Sequence, residues 1–428
     1  MAEAQRKRVV VVSWSWSDAC LITNSTRKGG GSIAGLMHAL VLKSHGYNVD
    51  VLEIRSEEQL QAQAAGLSLW PNAQEVLTTY IPEIELENVA FRNPSFPIFD
   101  NKGELVVEVP CAEDVRTSSW ASIHCLLWKA CKKKVEGHGF VTMRCGYRVS
   151  GLTEHDDQLV VAYKGEDGTE RAMPADLVVA ADGARSYIRS LVLPDVNPEY
   201  VGYVAWRASI KEVDAPEELH CALEGKMPIC MLDGSYIMVY LSPGKSGNME
   251  PGERVIEWCW YDPCDASTPV FSECMTDVHG VRHNLTVPSH LLRPEVWSSQ
   301  LRRRDSILTP MWKNIFQKSE MPLLTAIRSF DNTKASFFGG KLLLAGEAFV
   351  QLRPHLGASS DLAAMSAINL PHVLSGDMSI EDWEKRVSGH ATEKAIGSRA
   401  MGMFGMTGQW PQSQAPTAAP EVSQEIVC

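Results

Sequence analysis

The chain has 428 residues, 45% of them hydrophobic and 21% charged, a composition that excludes a disordered, collagen-like or small disulfide-stapled protein. Forty basic against 52 acidic side chains leave a net charge of −12, which repels phosphate backbones and anionic lipid surfaces, so no nucleic acid and no membrane is expected as a partner. Eleven cysteines, an odd number without CxxC pairs, point to free thiols in a reducing, cytoplasmic compartment, and no apolar stretch approaches a membrane span.

Val9 to Val12 is a short, apolar, β-branched run that predicts a buried parallel strand. A glycine-rich turn, a helix from Ile33 to Ser44 and a second strand from Asn48 to Ile54 complete a βαβ pattern, with the acid Glu53 about twenty residues past the glycines. Between strand and glycines lie residues 13–28, an insertion where a nucleotide-binding turn would follow at once. Two readings of it stay open. One is a surface loop, whose closure entropy grows slowly with length. The other is a translated intron, since Val12-Ser13 can be encoded by GTGAGT and Thr23-Asn24 by ACTAAC, sequences like a splice donor and a branch point.

Gly66 to Leu77 reads as a turn and a short helix, Phe96 to Pro110 as a hairpin turning at Asn101-Lys102-Gly103, and Trp120 to Lys133 as an amphipathic helix. Leu159 to Tyr163 and Leu177 to Ala181 read as strands, the second running into Asp182-Gly183. From about residue 197 to 325 the chain changes to alternating, aromatic-rich strands such as Tyr236 to Leu241 and Arg254 to Tyr261. A further buried strand, Lys341 to Ala345, leads into Gly346-Glu347 and a helix from about Ser359 to Ser375, so the nucleotide domain resumes late. The tail after Gly408 is too rich in Pro, Gln, Ala and Ser to order itself.

The turn Gly30-Gly31-Ser32-Ile33-Ala34-Gly35 has small residues wherever backbone must approach a pyrophosphate, which the following helix N-terminus attracts. Gly29-x-Gly31-x-x-Ala34 is an alternative register, and a glycine-rich loop without a ligand is the bland one. Glu53 is placed to accept from both hydroxyls of an adenosine ribose, or is a surface glutamate at a strand end. His279 and His283 share i, i+4 spacing, but in a Gly-containing, turn-like setting, and no metal site is expected.

The stretch Ala175 to Ser186, with Asp182-Gly183 at its centre, resembles the Asp-Gly motif of the single-component FAD-dependent aromatic hydroxylases, typified by para-hydroxybenzoate hydroxylase. Gly340 to Phe349, followed by Arg353-Pro354-His355-Leu356-Gly357, resembles that family's Gly-Asp motif with its Pro-x-x-Gly continuation. Finer matches, Gly202 to Arg207, Pro251 to Arg254 with Trp258 to Tyr261, and Arg353 to His355, are similar to the branch that includes 2,6-dihydroxypyridine 3-hydroxylase. Three departures stand out: Glu347 replaces the aspartate, Ala358-Ser359 replaces the second glycine after the proline, and Trp120 stands where many relatives place arginine.

The resemblance implies an α/β fold, a Rossmann-like FAD/NAD(P)-binding domain (residues 1–196 and 326–407) with an inserted, mainly antiparallel β-sheet substrate domain (197–325), to which the composition adds a disordered tail (408–428). It implies FAD as cofactor, held by Gly30, Gly31, Ser32, Ala34, Gly35, Glu53, Asp182, Gly183, Arg185, Glu347, Pro354, Gly357 and Ala358. Arg185 and Arg189 are readable as contacts for the nicotinamide cofactor's phosphates, as contacts for the FAD pyrophosphate, or as a solvated helix face. It further implies monooxygenation, in which NADPH or NADH reduces the flavin, dioxygen forms a C4a-hydroperoxide, and an electron-rich aromatic small molecule is hydroxylated. His355, Tyr203 and Arg207, with Trp206, are the candidates on the substrate side, Tyr203 and Trp206 being equally readable as sheet core. The expected assembly is a monomer or homodimer. A non-catalytic or defective relative is the rival reading, motivated by the insertion and the altered motifs.

Overall fold

The structure, a computed structural model, describes residues 7–13, 33–56, 66–165, 167–223, 225–244 and 247–411. Gly30, Gly31, Ser32 and all of the 13–28 insertion except Ser13 lie outside them. Two compact units emerge, one drawn from residues within 1–90, 118–201 and 328–396, the other from within 91–117, 202–327 and 397–428.

In the first unit a six-stranded sheet runs in the order Ser336–Phe337, Leu342–Leu344, Leu177–Ala181, Arg8–Ser13, Asn48–Glu53, Val141–Cys145. All neighbours are parallel except the Ser336–Phe337 edge. Central strands buried on both faces read as unbroken apolar runs, as Val9 to Val12 do. The register pairs Ser13 with Glu53 and with Ala181, so the carboxyl ends of these strands stop level. A second, three-stranded antiparallel sheet folds back at Asp156-Asp157, both at positive φ, the backbone of a tight hairpin.

Helix Ile33–Ser44 is buried almost all round, packed on helices Trp120–Lys132 and Ser359–Ser375. Its Lys43 is buried too. The ammonium donates to the carbonyls of Ala130 (2.8 Å), Cys131 (3.0 Å) and Lys133, which closes the carbonyl end of the 120–132 helix. Burial holds its pKa below the usual lysine value. Along that helix Trp120, His124 and Trp128 stack at i, i+4 and i+8, with centroids 4.4 and 5.6 Å apart. The segment Gly66–Leu69, read from sequence as a turn, is a short strand before helix Pro71–Tyr80. Proline at the first helical position and the outgoing Asp361 contacts described below set that boundary.

The second unit is built on an eight-stranded sheet in which Glu199–Lys211, Val255–Pro263, Ser235–Ser242 and Ile229–Leu232 are consecutive neighbours. Side chains alternate between its faces. Trp206 lies opposite Trp260, and Ala208 opposite Trp258. This face is sealed by helices Pro294–Arg303 and Pro310–Lys318, whose Trp297 and Phe316 lie 5.2 Å from Trp206 and 5.4 Å from Trp260. Each such ring pair adds about 0.5–1.5 kcal/mol beyond area burial. Tyr203, Arg207, Glu257, Cys259, Tyr261, Tyr236 and Tyr240 alternate onto the other face. No helix among the described residues is long and apolar enough to cross a membrane.

Two buried histidines make the first unit acid-sensitive. His38 bonds through Nδ1 to the Ala34 carbonyl (2.8 Å) and meets Ser366 Oγ with Nε2 (3.1 Å). Burial lowers His38 to about 4, and burial with the nearby Arg55 charge lowers His124 to about 4. Between pH 6.5 and 4 the unfolded chain takes up protons that the folded chain refuses, so stability falls as pH drops through that window, by about 2 kcal/mol per histidine at pH 5. His124→Phe keeps the stack and removes one titration. Its urea midpoint will fall less than the wild type's between pH 7 and pH 5; equal falls would show that His124 is not buried neutral.

Candidate active site

The site of the first unit is the row of loops leaving the level strand ends. Glu53, only 2% exposed, is pinned there: Ser13 Oγ donates to Oε2 (2.9 Å), and the Arg55 amide and Nε donate to Oε1 (3.0 Å each). It is therefore not a surface glutamate. Arg55, which the sequence did not single out, is buried, and its Nη1 and Nη2 have no hydrogen-bond partner among the described residues. A buried guanidinium edge without acceptors is costly unless an anionic or hydroxyl-bearing group meets it.

Just past the end of strand Leu177–Ala181, on the other side of Arg8–Ser13, Asp182 turns its carboxylate inward, where it accepts from Ser186 Oγ and the Ile188 amide (3.2 Å). Burial raises its pKa, and these hydrogen bonds oppose the rise. Both oxygens thus organise the start of helix Tyr187–Val192, leaving Gly183, at φ +80°, to turn the backbone across the strand end. Arg185 is half-buried. Arg189, one turn on, is buried and donates to the carbonyls of Val196 (3.1 Å), Ala348 (3.1 Å), Glu347 (3.4 Å) and Ala184, with its guanidinium 4.2 Å over Phe330. It joins the Asp182 loop to the Gly346 loop, and is not a solvated helix face.

Gly346 has φ +57°, and a Cβ there would lie 2.9 Å from that of Ala34. Its loop consequently rests on the first turn of helix Ile33–Ser44. Gly357 repeats the device, at φ +61° with a Cβ position 2.5 Å from Ser68 Oγ. The segment between them carries Pro354 and the buried His355 in a 3₁₀ turn, held by Trp70 Nε1 donating to the Leu356 carbonyl (2.9 Å). Helix Ser359–Ser375 then starts at Ala358 with no side-chain cap. Glu347 is half-buried, with Ser359 Oγ 3.4 Å from its Oε1, so the longer acid stands beside that helix start. Asp361 accepts from the Asn72 amide (2.9 Å), Asn72 Nδ2 (3.0 Å) and His390 (2.9 Å), locking the helix to its neighbours.

An uncapped helix start, two glycine cradles and the orphaned Arg55 edge at strand ends fit a phosphate-bearing dinucleotide. Among the described residues no group of three His, Cys, Asp or Glu is placed to hold a metal. His283 instead pairs with Asp277 at 2.8 Å.

In the second unit Tyr203 and Arg207 share one face of their strand, while Trp206 points into the aromatic face opposite. The charge of Arg207 acts on Glu257 of the adjacent strand and on Tyr240 of the strand beyond it. Burial pushes the Glu257 carboxyl up to about 7, against the pull of Arg207. Glu257 and Tyr240 escape a sequence reading because only strand register sets them beside Arg207; the alternation of Trp258 and Trp260 about Cys259 is the signal that could have found the face.

The FAD binding domain family matches residues 29–215, and an FAD binding domain-like family matches residues 200–329. The 2,6-dihydroxypyridine 3-monooxygenase of Paenarthrobacter nicotinovorans is 30% identical over 371 residues, spanning 85% of this chain and 87% of that protein. The 6-hydroxynicotinate 3-monooxygenase of Bordetella bronchiseptica is 23% identical over 80% of this chain and 81% of its own. Among solved structures, 2,6-dihydroxypyridine-3-hydroxylase from Arthrobacter nicotinovorans superposes with a TM-score of 0.78 at 24% identity, covering 99% of each chain.

Adding a methyl group at Gly346 strains a positive φ and collides with Ala34. Gly346→Ala is expected to weaken FAD binding about tenfold, for a cost of roughly 1–3 kcal/mol. Ala34→Gly in the same chain should recover the collision part of the loss. Titration of the apoprotein with FAD, followed by flavin absorbance, measures both; unchanged affinity in Gly346→Ala would show that the two loops do not meet at the cofactor.

Proposed function

The chain belongs to the family of FAD-dependent aromatic hydroxylases and is an FAD-dependent monooxygenase, and from that premise we propose that it hydroxylates a phenolic or hydroxylated N-heteroaromatic small molecule. The observation that carries this reading is the 30% identity, over 85% of the chain, to a protein named 2,6-dihydroxypyridine 3-monooxygenase. The balanced reaction takes substrate, dioxygen, NAD(P)H and a proton to hydroxylated substrate, water and NAD(P)+. Bound FAD supplies the electron relay from the nicotinamide and the activation of dioxygen.

The chain's own residues hold the cofactor and prepare the substrate. Gly30, Gly31, Ser32, Ala34 and Gly35 would approach the FAD pyrophosphate with backbone amides, and Glu53 with Arg55 would take the adenosine ribose and its phosphates. The backbone at Asp182-Gly183, with Arg185, and the turn from Pro354 through Gly357 to Ala358 would hold the remainder, while Glu347 at the 359–375 helix start would accept from the ribityl chain. His355 would border the isoalloxazine. Arg207 would orient the ring hydroxyl of the substrate, Tyr203 would stack beside it, and Glu257, poised near neutrality, would take the hydroxyl proton so that the ring becomes more electron-rich.

The rival reading, a non-catalytic relative, is not favoured, since the relatives that span the chain are named monooxygenases. The test uses the full chain loaded with FAD, NADPH or NADH, and a panel containing 2,6-dihydroxypyridine, 6-hydroxynicotinate and simple phenols under ¹⁸O₂. One member is expected to gain a single labelled oxygen. Arg207→Gln should lower kcat/KM for it by about a hundredfold and Glu257→Gln should flatten the pH profile near 7. NAD(P)H oxidation yielding only hydrogen peroxide across the panel would contradict the substrate assignment.

A further inference from the structure

On the tryptophan face of the large sheet lies a cavity of about 360 Å³, lined wholly by residues of the second unit. Its floor is Trp312, Cys230, Val239 and Leu219, all buried. Phe99 and Met311 complete the walls, and Lys102 and Glu218 stand exposed at the mouth. Cys230 pairs with Ile237, and Ile237 with Trp260, which puts the cavity on the side of the sheet away from Arg207 and Glu257. It is therefore not part of the site assigned above.

We propose that this cavity is a second small-molecule site, for a neutral, planar aromatic or N-heteroaromatic compound of one or two rings. The volume falls in the range of ligand pockets and the lining is mainly apolar, the combination that takes up small aromatics. Trp312 Nε1 donates to Cys230 Sγ at 3.1 Å, which fixes the indole plane as one wall against which a flat ring can lie. Nothing buried in the lining carries charge, because the thiol stays protonated, and the opposite charges of Lys102 and Glu218 at the mouth cancel. A charged ligand would lose its hydration without replacement.

The strand Ser235–Ser242 contributes Val239 to this cavity and Tyr240 to the opposite face. An occupant therefore braces the strand on which the proposed substrate face is built, a consequence that rests on the reading of that face; the binding itself does not.

The probe is 5-fluoroindole, titrated by ¹⁹F NMR into the full, FAD-loaded chain. Saturable binding is expected below about 1 mM. Ala222→Trp and Met311→Trp fill the cavity from two different elements and should each weaken binding more than tenfold. Arg207→Gln should leave it unchanged. Independently of the variants, the Met311 methyl resonance should shift with the same saturation curve. The proposal is overturned by the absence of saturable binding, by wild-type binding in both filled variants with normal circular dichroism and flavin content, by loss of binding in Arg207→Gln alone, or by a Met311 methyl that does not respond. An inactive enzyme in the ¹⁸O₂ assay would refute the proposed function and leave these outcomes untouched.

Discussion

A single buried guanidinium holds the first unit's strand-end loops in place. Arg189 reaches across from the loop after the Leu177–Ala181 strand and donates to carbonyls on both sides, Ala184 and Val196 in its own segment, Glu347 and Ala348 in the next. Burial lowers its pKa to about 10, partly offset by the charge of Asp182, so it stays protonated at neutral pH. A buried cation is tolerable only because the carbonyls and the Phe330 face replace its water. Removing it would take a charged donor from those carbonyls and leave two loops with positive-φ glycines, Gly183 and Gly346, without the tie that sets their spacing.

The strand order explains why that spacing matters. Parallel strands with level carboxyl ends bring Ser13, Glu53, Asp182 and Gly346 to one edge, although they are widely separated in the chain. In open parallel sheets this is the edge where dinucleotides bind, because helix starts and turn amides face it together. In the second unit a period of two does comparable work. One strand gives Trp206 to a packed aromatic layer and Arg207 to the face beyond, so the same hydrogen-bond register that stabilises the sheet also positions the polar group.

Much of this was legible in the chain itself. The valine run, the helix from Ile33 and the helix from Ser359 follow from apolar patterning, and their observed limits agree closely with those expected. The family could be recognised because its motifs lie at strand ends, where backbone geometry restricts the residue types. Three things were not legible. Gly66–Leu69 is too short for its alternation to outweigh the flanking glycine and proline. Arg189 reads from sequence equally as a cofactor arginine or a solvated helix face, and only the three-dimensional approach of the Gly346 loop shows its carbonyl partners. Arg55 and Glu257 belong to no motif, since their significance comes from burial and from neighbours on other strands.

The most direct test of this account is the FAD dissociation constant of Arg189→Met beside Arg189→Lys and the wild type, each checked for folding by circular dichroism. At least a tenfold loss of FAD affinity is expected in Arg189→Met, with a smaller loss in Arg189→Lys, which keeps the charge but not the fork of donors. Wild-type affinity in a folded Arg189→Met would contradict it, because the loops would then hold their spacing without the tie.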